Sequence, residues 1–215
     1  MEKKKLALLA VKALEERYPD AICSLEYEKP HELLIATRLS AQCTDARVNM
    51  VTPELFEKYP DLEAFCNADA GDIEKIIHSC GFFRQKAKDI VGMCIAIRDK
   101  YDGRVPDTVE QLTTLPGVGR KTANLIVGDV YKKPAIVCDT HCIRITNRLG
   151  LTDTKDPYKV EMQLKEILPP EKSNDFCHRL VLFGRDVCDA RKPKCDICPF
   201  WGVCQDVLNR GEKYE

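Results

Sequence analysis

Four cysteines, Cys188, Cys195, Cys198 and Cys204, fall within seventeen residues, separated by six, two and five positions. Four thiolates in so short a stretch suit a tetrahedral sulfur site, and both zinc and a [4Fe–4S] cluster accept four thiolates. Spacing alone leaves these two open. The six residues between the first two cysteines include Asp189, Arg191, Lys192 and Lys194. A loop with a net positive charge, held at both ends by ligands, could meet phosphates through Arg191, Lys192 and Lys194. The competing reading is a solvated basic loop.

A second constellation is Leu115-Pro-Gly117-Val-Gly119-Arg-Lys121-Thr122. It lies between two apolar-periodic stretches and reads as a tight hairpin joining two helices. Glycine permits positive φ and close backbone approach. The N–H groups opening the second helix suit an anion such as a DNA phosphate, with Leu115, Gly117, Gly119 and Thr122 forming the grip. Two better-known phosphate motifs do not fit. A Walker loop needs glycine before its lysine, where Arg120 stands; a dinucleotide fingerprint needs a third glycine, where Thr122 stands, and a preceding strand.

Asp139 opens a helix that runs to about Leu149 and stops at Gly150. An aspartate there is ordinarily an N-cap, a role compatible with chemistry. The segment Leu39-Ser-Ala-Gln42-Cys-Thr-Asp45 reads from composition only as a helix end with polar caps. His31-Glu32 is followed by Ile at position 35, which rules out a zincin motif; His31, His78 and His178 read as ordinary surface or satisfied histidines.

The elements that must position these groups are helices. Leu6, Leu9, Ala10, Ala13 and Leu14 recur at helical spacing, as do Ala87, Ile90, Val91, Cys94 and Ile97. Thr108 to Gln111 reads as a capping box, Asp156-Pro157 as an N-cap with proline at the first position, and Ser173 as the cap of a further helix. No segment alternates cleanly enough for a strand. The fold class is all-α, built of many short helices, with breaks at Tyr101–Asp107 and Lys132–Pro134 and a metal-organised tail after Asp186.

The chain of 215 residues carries 44% hydrophobic and 31% charged residues with a net charge of −1, an ordinary globular balance that gives no hint of a nucleic-acid partner. Its longest apolar stretch, Ile90–Ile97, is far short of a bilayer span, and its start does not resemble an export signal. A soluble, cytoplasmic protein is expected. The other eight cysteines, Cys23, Cys43, Cys66, Cys80, Cys94, Cys138, Cys142 and Cys177, sit mostly among apolar neighbours and read as small buried hydrophobes.

Taken together and in this order, the segments resemble the endonuclease III DNA glycosylases of the helix–hairpin–helix superfamily over nearly the whole chain. The cysteine spacing is similar to that family's [4Fe–4S] loop, the Leu115–Thr122 segment to its hairpin, Val137–His141 to the segment bearing its aspartate, and Leu39–Asp45 to the segment whose glutamine fills the gap left by a flipped base. The resemblance implies a base-excision repair enzyme that releases damaged, oxidised pyrimidines from duplex DNA and nicks the abasic site by β-elimination. Lys121 would be the nucleophile, Asp139 the catalytic carboxylate, and Cys188, Cys195, Cys198 and Cys204 the ligands of a [4Fe–4S] cluster. An amine attacks a sugar carbon only when uncharged, and the partial positive charge at a helix start works in that direction.

Gly81-Phe82 aligns with a loop that often carries an aliphatic wedge; an aromatic there can still insert and stack. Two helical domains are implied, with a cleft between them at whose mouth Lys121 and Asp139 would face each other. Residues 23–133 would form the helical barrel ending in the hairpin; residues 1–22 and 134–215 would form the cluster domain. The partner is duplex DNA with damaged bases or abasic sites, with no membrane, and the protein would act as a monomer associated with the nucleoid. No role follows for Cys138 or Cys142. The alternatives are a mismatch-specific glycosylase of the same superfamily, many of which lack a lysine where Lys121 stands, and a non-catalytic DNA-binding module with a zinc-containing tail.

Overall fold

A computed structural model of the chain describes residues 2–211. Among them are twelve α-helices and no strand: α1 (Lys3–Arg17), α2 (Pro30–Ser40), α3 (Asp45–Lys58), α4 (Leu62–Cys66), α5 (Ala70–Ile77), α6 (Phe83–Tyr101), α7 (Val109–Leu112), α8 (Arg120–Asp129), α9 (Thr140–Leu149), α10 (Pro157–Ile167), α11 (Ser173–Asp186) and α12 (Gln205–Arg210). Among the described residues no helix is long and apolar enough to cross a membrane.

Many helix starts are fixed by a side chain in the preceding position. Asp61, Asp69, Asp139 and Asp156 accept from the backbone N–H groups of Ala64, Gly71, Cys142 and Lys159. Each such cap is worth about 1 kcal/mol. Thr108 accepts from the Gln111 N–H at 3.3 Å, and its hydroxyl lies 3.1 Å from Gln111 Oε1. Ser173 does not cap: it lies inside α11, and its hydroxyl donates to the Pro170 carbonyl at 2.7 Å. Leu9 also departs from expectation. The face that α1 buries runs through Leu6, Ala7, Ala10, Val11 and Leu14, leaving Leu9 exposed. Ala7 and Val11 serve because small side chains let helices approach closely.

The chain divides into two compact units, with the breaks at Ile22/Cys23 and Lys132/Lys133. In the unit Cys23–Lys132, the long α6 packs against α4 and α5, and α2 packs against α3 and α8. Ala87, Ile90, Met93, Cys94 and Ile97 of α6 are buried with Phe65, Ile73 and Ile77. His31 belongs to this core rather than to the surface. It is buried edge-on to Phe65, its Nε2 has no hydrogen-bond partner, and burial lowers its pKa. The arginine–aspartate pair Arg38–Asp89, 2.6 Å apart and largely covered, ties α2 to α6.

The other unit joins α1 to the second part of the chain. Here α11 packs against α1 and α9, α12 against α9, and α1 against α10. Arg17 Nη2 and the Tyr18 hydroxyl both donate to Asp186 Oδ2, and Lys172 Nζ donates to Glu15 at 2.8 Å. Cys138, Cys142 and Cys177 meet in this core, where mutual S–H contacts and full burial push the Cys142 thiol far up. Of the eight scattered cysteines, Cys66, Cys80, Cys94, Cys138, Cys142 and Cys177 are buried, and Cys23 and Cys43 are half-buried.

Candidate nucleic-acid and catalytic site

The hairpin runs from α7 to α8. Leu115 and Val118 turn inward and are buried, leaving Pro116, Gly117 and Gly119 at the surface. Turn bonds from Leu115 N–H to Leu112 and from Val118 N–H to Leu115 fold the segment tightly. Its two glycines differ. Gly117 has φ 71°, and a Cβ there would lie 2.8 Å from Arg38 Nε and 2.9 Å from Asp89 Cβ. The fold itself demands this glycine. Gly119 has φ −92°, and a Cβ there would meet nothing within 4 Å. Packing does not require that glycine; its absent side chain keeps the space before α8 clear.

The first backbone bond of α8 runs from Ala123 N–H to Gly119 C=O at 2.9 Å, so the amides before Ala123 point out of the helix end. Lys121 and Thr122 lie in that first turn, with Lys121 exposed. A glycine cleared of side chain, outward amides and an exposed amine together suit an approaching phosphate and its sugar.

Gln42 and Phe82 lie in the same unit, after the ends of α2 and of the short 3-10 turn His78–Cys80. Both are exposed and both hold left-handed backbone, with φ 57° and 47°. Between their segments lies Lys86, buried in the first turns of α6, whose Nζ donates to the carbonyls of Leu39 and Cys80. Nothing in the sequence marks it, because a lysine in an amphipathic helix reads as surface.

In the other unit, Asp139 is half-buried at the start of α9. Its Oδ1 accepts the Cys142 N–H at 2.7 Å, and its Oδ2 lies 3.2 Å from His141 Nδ1. His141 lies over Gly184, where a Cβ would come within 2.4 Å of its ring. His141 is a neighbour in sequence, but its contact with the carboxylate needs the first turn of the helix to be seen.

Further along α9, Arg144 at its middle and Arg148 near its end hold the cysteine loop. Arg148 donates to the Cys188 Sγ at 3.3 Å and to the carbonyls of Asp189 and Ala190; Arg144 donates to the Cys188 carbonyl at 3.0 Å. About forty residues separate these arginines from their partners, so local motif reading could not find them. Asp189, exposed, accepts from the Lys192 and Arg191 amides of its own loop, which hold its carboxyl below the usual range. Arg191, Lys192 and Lys194 are left pointing to solvent.

Cys188, Cys195, Cys198 and Cys204 all line one small pocket, with Arg148 and Arg210 at its wall. Phe200, edge-on to Phe183 at 5.4 Å, seats this tail on α11. Burial pushes the Cys198 thiol up to about 11 and raises Cys204, so these sulfurs stay ionised only against a cationic centre. Yet among the described residues no three histidine, cysteine or acidic side chains are grouped to hold one metal ion.

The chain matches the model of the HhH-GPD superfamily of base excision DNA repair proteins over residues 35–170, and the iron–sulfur binding domain of endonuclease III over residues 188–204. It is 47% identical to endonuclease III of Synechocystis, over 94% of this chain and 93% of that protein. It is 41% identical to endonuclease III of Bacillus subtilis, over 92% and 91%. Among solved structures, a trapped endonuclease III–DNA covalent intermediate superposes with a TM-score of 0.91 at 41% identity, covering 99% of this chain and all of that one. The chain belongs to the helix–hairpin–helix base-excision repair superfamily and, within it, to the endonuclease III family. It is a DNA glycosylase with AP lyase activity, its cofactor is a [4Fe–4S] cluster, and its partner is DNA.

Proposed function

We propose that this enzyme releases oxidised pyrimidines from duplex DNA through Lys121 and Asp139 and then nicks the resulting abasic site. The observation that carries the reading is the exposed amine of Lys121 in the first turn of α8, beside a glycine that packing does not require. The Lys121 nitrogen bonds to the sugar C1′ as the base leaves with the bonding pair. The nitrogen loses a proton, the C1′–O4′ bond breaks with O4′ taking up a proton, and the ring-opened sugar is left as a Schiff base; removal of a C2′ proton then expels the 3′ phosphate. Asp139, oriented by the Cys142 amide and His141, stabilises positive charge on the sugar as the base departs.

Leu115, Gly117, Gly119 and Thr122 grip the backbone phosphate. Gln42 and Phe82 fill the space from which the damaged base is extruded, an extrusion that costs only a few kcal/mol for a weakened pair. Cys188, Cys195, Cys198 and Cys204 hold the [4Fe–4S] cluster, which when bound anchors the tail structurally. Arg191, Lys192 and Lys194 meet further phosphates. The unit Cys23–Lys132 serves as the helical barrel domain and the remainder as the cluster domain. The enzyme acts as a monomer in the cytoplasm, on the nucleoid.

The test is borohydride trapping on a duplex bearing thymine glycol. Wild-type protein forms a covalent complex. Lys121→Gln forms none while still binding the duplex, and Asp139→Asn binds but releases base at least about a hundredfold more slowly. Trapping by Lys121→Gln at the wild-type rate would assign the nucleophile to another amine.

A further inference from the structure

Lys86 is among the largest fully covered side chains of the molecule, only 1% exposed, and the chemistry above does not use it. Burial lowers its pKa, and its charge sits in the first turns of α6, the end of a helix where a cation is least welcome. A lysine is retained in such a place only if something specific compensates it. Two backbone carbonyls do so: Leu39 at 2.8 Å, in the last turn of α2, and Cys80 at 2.7 Å, at the end of the 3-10 turn. Both are among the carbonyls that a helix end leaves without a partner of its own and that carry its partial negative charge.

The same kind of feature stands just beyond each carbonyl. Three residues after Leu39 comes Gln42, and two after Cys80 comes Phe82, each in left-handed backbone without being glycine. Phe82 is 70% exposed. Left-handed conformations of such residues persist only where the surroundings hold them. Cys43 and Cys80 add a second contact between the same two segments, with Cys43 close enough to help burial push Cys80 up to about 11.

We propose that Lys86 is a positioning residue for base extrusion: its buried ammonium clips the Gln42 segment to the Phe82 segment, so that the two side chains enter the duplex as one rigid pair. The proposal rests on the reading of Gln42 and Phe82 as the residues that fill the gap. A residue that merely stabilised the fold would affect all steps alike. A clip between the two segments affects the step in which a paired base must be pulled out, and spares the step in which no base remains.

The experiment measures, on the cluster-loaded full-length enzyme, single-turnover base release from a thymine glycol duplex and nicking of a ready-made abasic duplex. Their ratio does not depend on the fraction of active protein. Lys86→Met, which keeps the stem and loses the donors, is expected to lower the ratio about tenfold, with nicking changed less than about twofold. The pair Gln42→Ala/Phe82→Ala should lower it as well. Adding Lys86→Met to that pair should lower it no further, because the clip then has nothing to position.

An unchanged ratio in Gln42→Ala/Phe82→Ala overturns the gap-filling reading and this proposal with it. A lowered ratio there, with an unchanged ratio in Lys86→Met, overturns this proposal alone, as does a full further loss when the changes are combined. If Lys86→Met does not fold, Lys86→Gln is measured instead. Its shorter amide still donates to one carbonyl, so an intermediate drop in the ratio is expected and an unchanged ratio overturns the proposal.

Discussion

The hairpin at Leu115–Thr122 and the tail from Cys188 to Gly211 are both short, polar at their tips and poor in regular structure. In the hairpin, Leu115 and Val118 are buried, Gly117 lies directly on Arg38 and Asp89, and α7 packs on α8. In the tail, only Phe200, Cys204 and Val207 are buried across more than twenty residues, and the local structure is two 3-10 turns and one short helix. The hairpin is held by ordinary polypeptide packing. The tail is organised around four sulfurs and a few arginine–carbonyl bonds, so its shape is as much the cofactor's as the chain's.

That difference is sharpest on removing one ligand. Cys198→Ala should strip iron and sulfide from the purified protein and expose the bonds after Cys188 to protease, while the unit Cys23–Lys132 keeps its helical signal. Retention of full iron would break the contrast.

Within the hairpin, the two glycines should separate. Gly117→Ala forces a side chain onto Arg38 and Asp89 at a positive φ and should destabilise the fold by about 1–3 kcal/mol in thermal or denaturant unfolding. Gly119→Ala meets no protein atom and should change stability by less than about 0.5 kcal/mol, yet weaken duplex binding about tenfold by standing where a phosphate approaches. Equal effects on both readouts would erase the distinction between a glycine kept for the fold and one kept for the ligand.

The smallest effect belongs to the tail's outward cations. Lys192→Ala/Lys194→Ala should leave folding and iron content unchanged. It should reduce the slope of log affinity against log salt by about 0.9 for each phosphate that is no longer neutralised.

Much of this was legible before the structure. The helix from Asp139 to Gly150 follows from an N-capping carboxylate, an amphipathic run and a terminal glycine. The same local logic gives α10 from Asp156-Pro157. What escaped depends on contacts between distant residues. Lys86 looks like any solvated helical lysine until Leu39, forty-seven positions earlier, supplies its acceptor. Ser173 looks like a cap until the preceding 3-10 turn of Pro170–Lys172 takes that place. The two hairpin glycines look alike in sequence and differ only in what stands over them. Cys138 and Cys142 appeared without purpose because the third member of their buried group, Cys177, lies on another helix.

The chain's path through its two units bears on its synthesis. Helix α1 leaves the ribosome well before the elements it packs on: its buried face meets α10 and α11, and Glu15 and Arg17 pair with Lys172 and Asp186. The intervening unit Cys23–Lys132 can close on itself during translation. The opening helix must wait, with Leu6, Ala7, Ala10, Val11 and Leu14 uncovered, until some 150 further residues have been made. The order of assembly is thereby set: the hairpin forms early from local contacts, and the unit that carries Asp139 and the four clustered cysteines is completed after it.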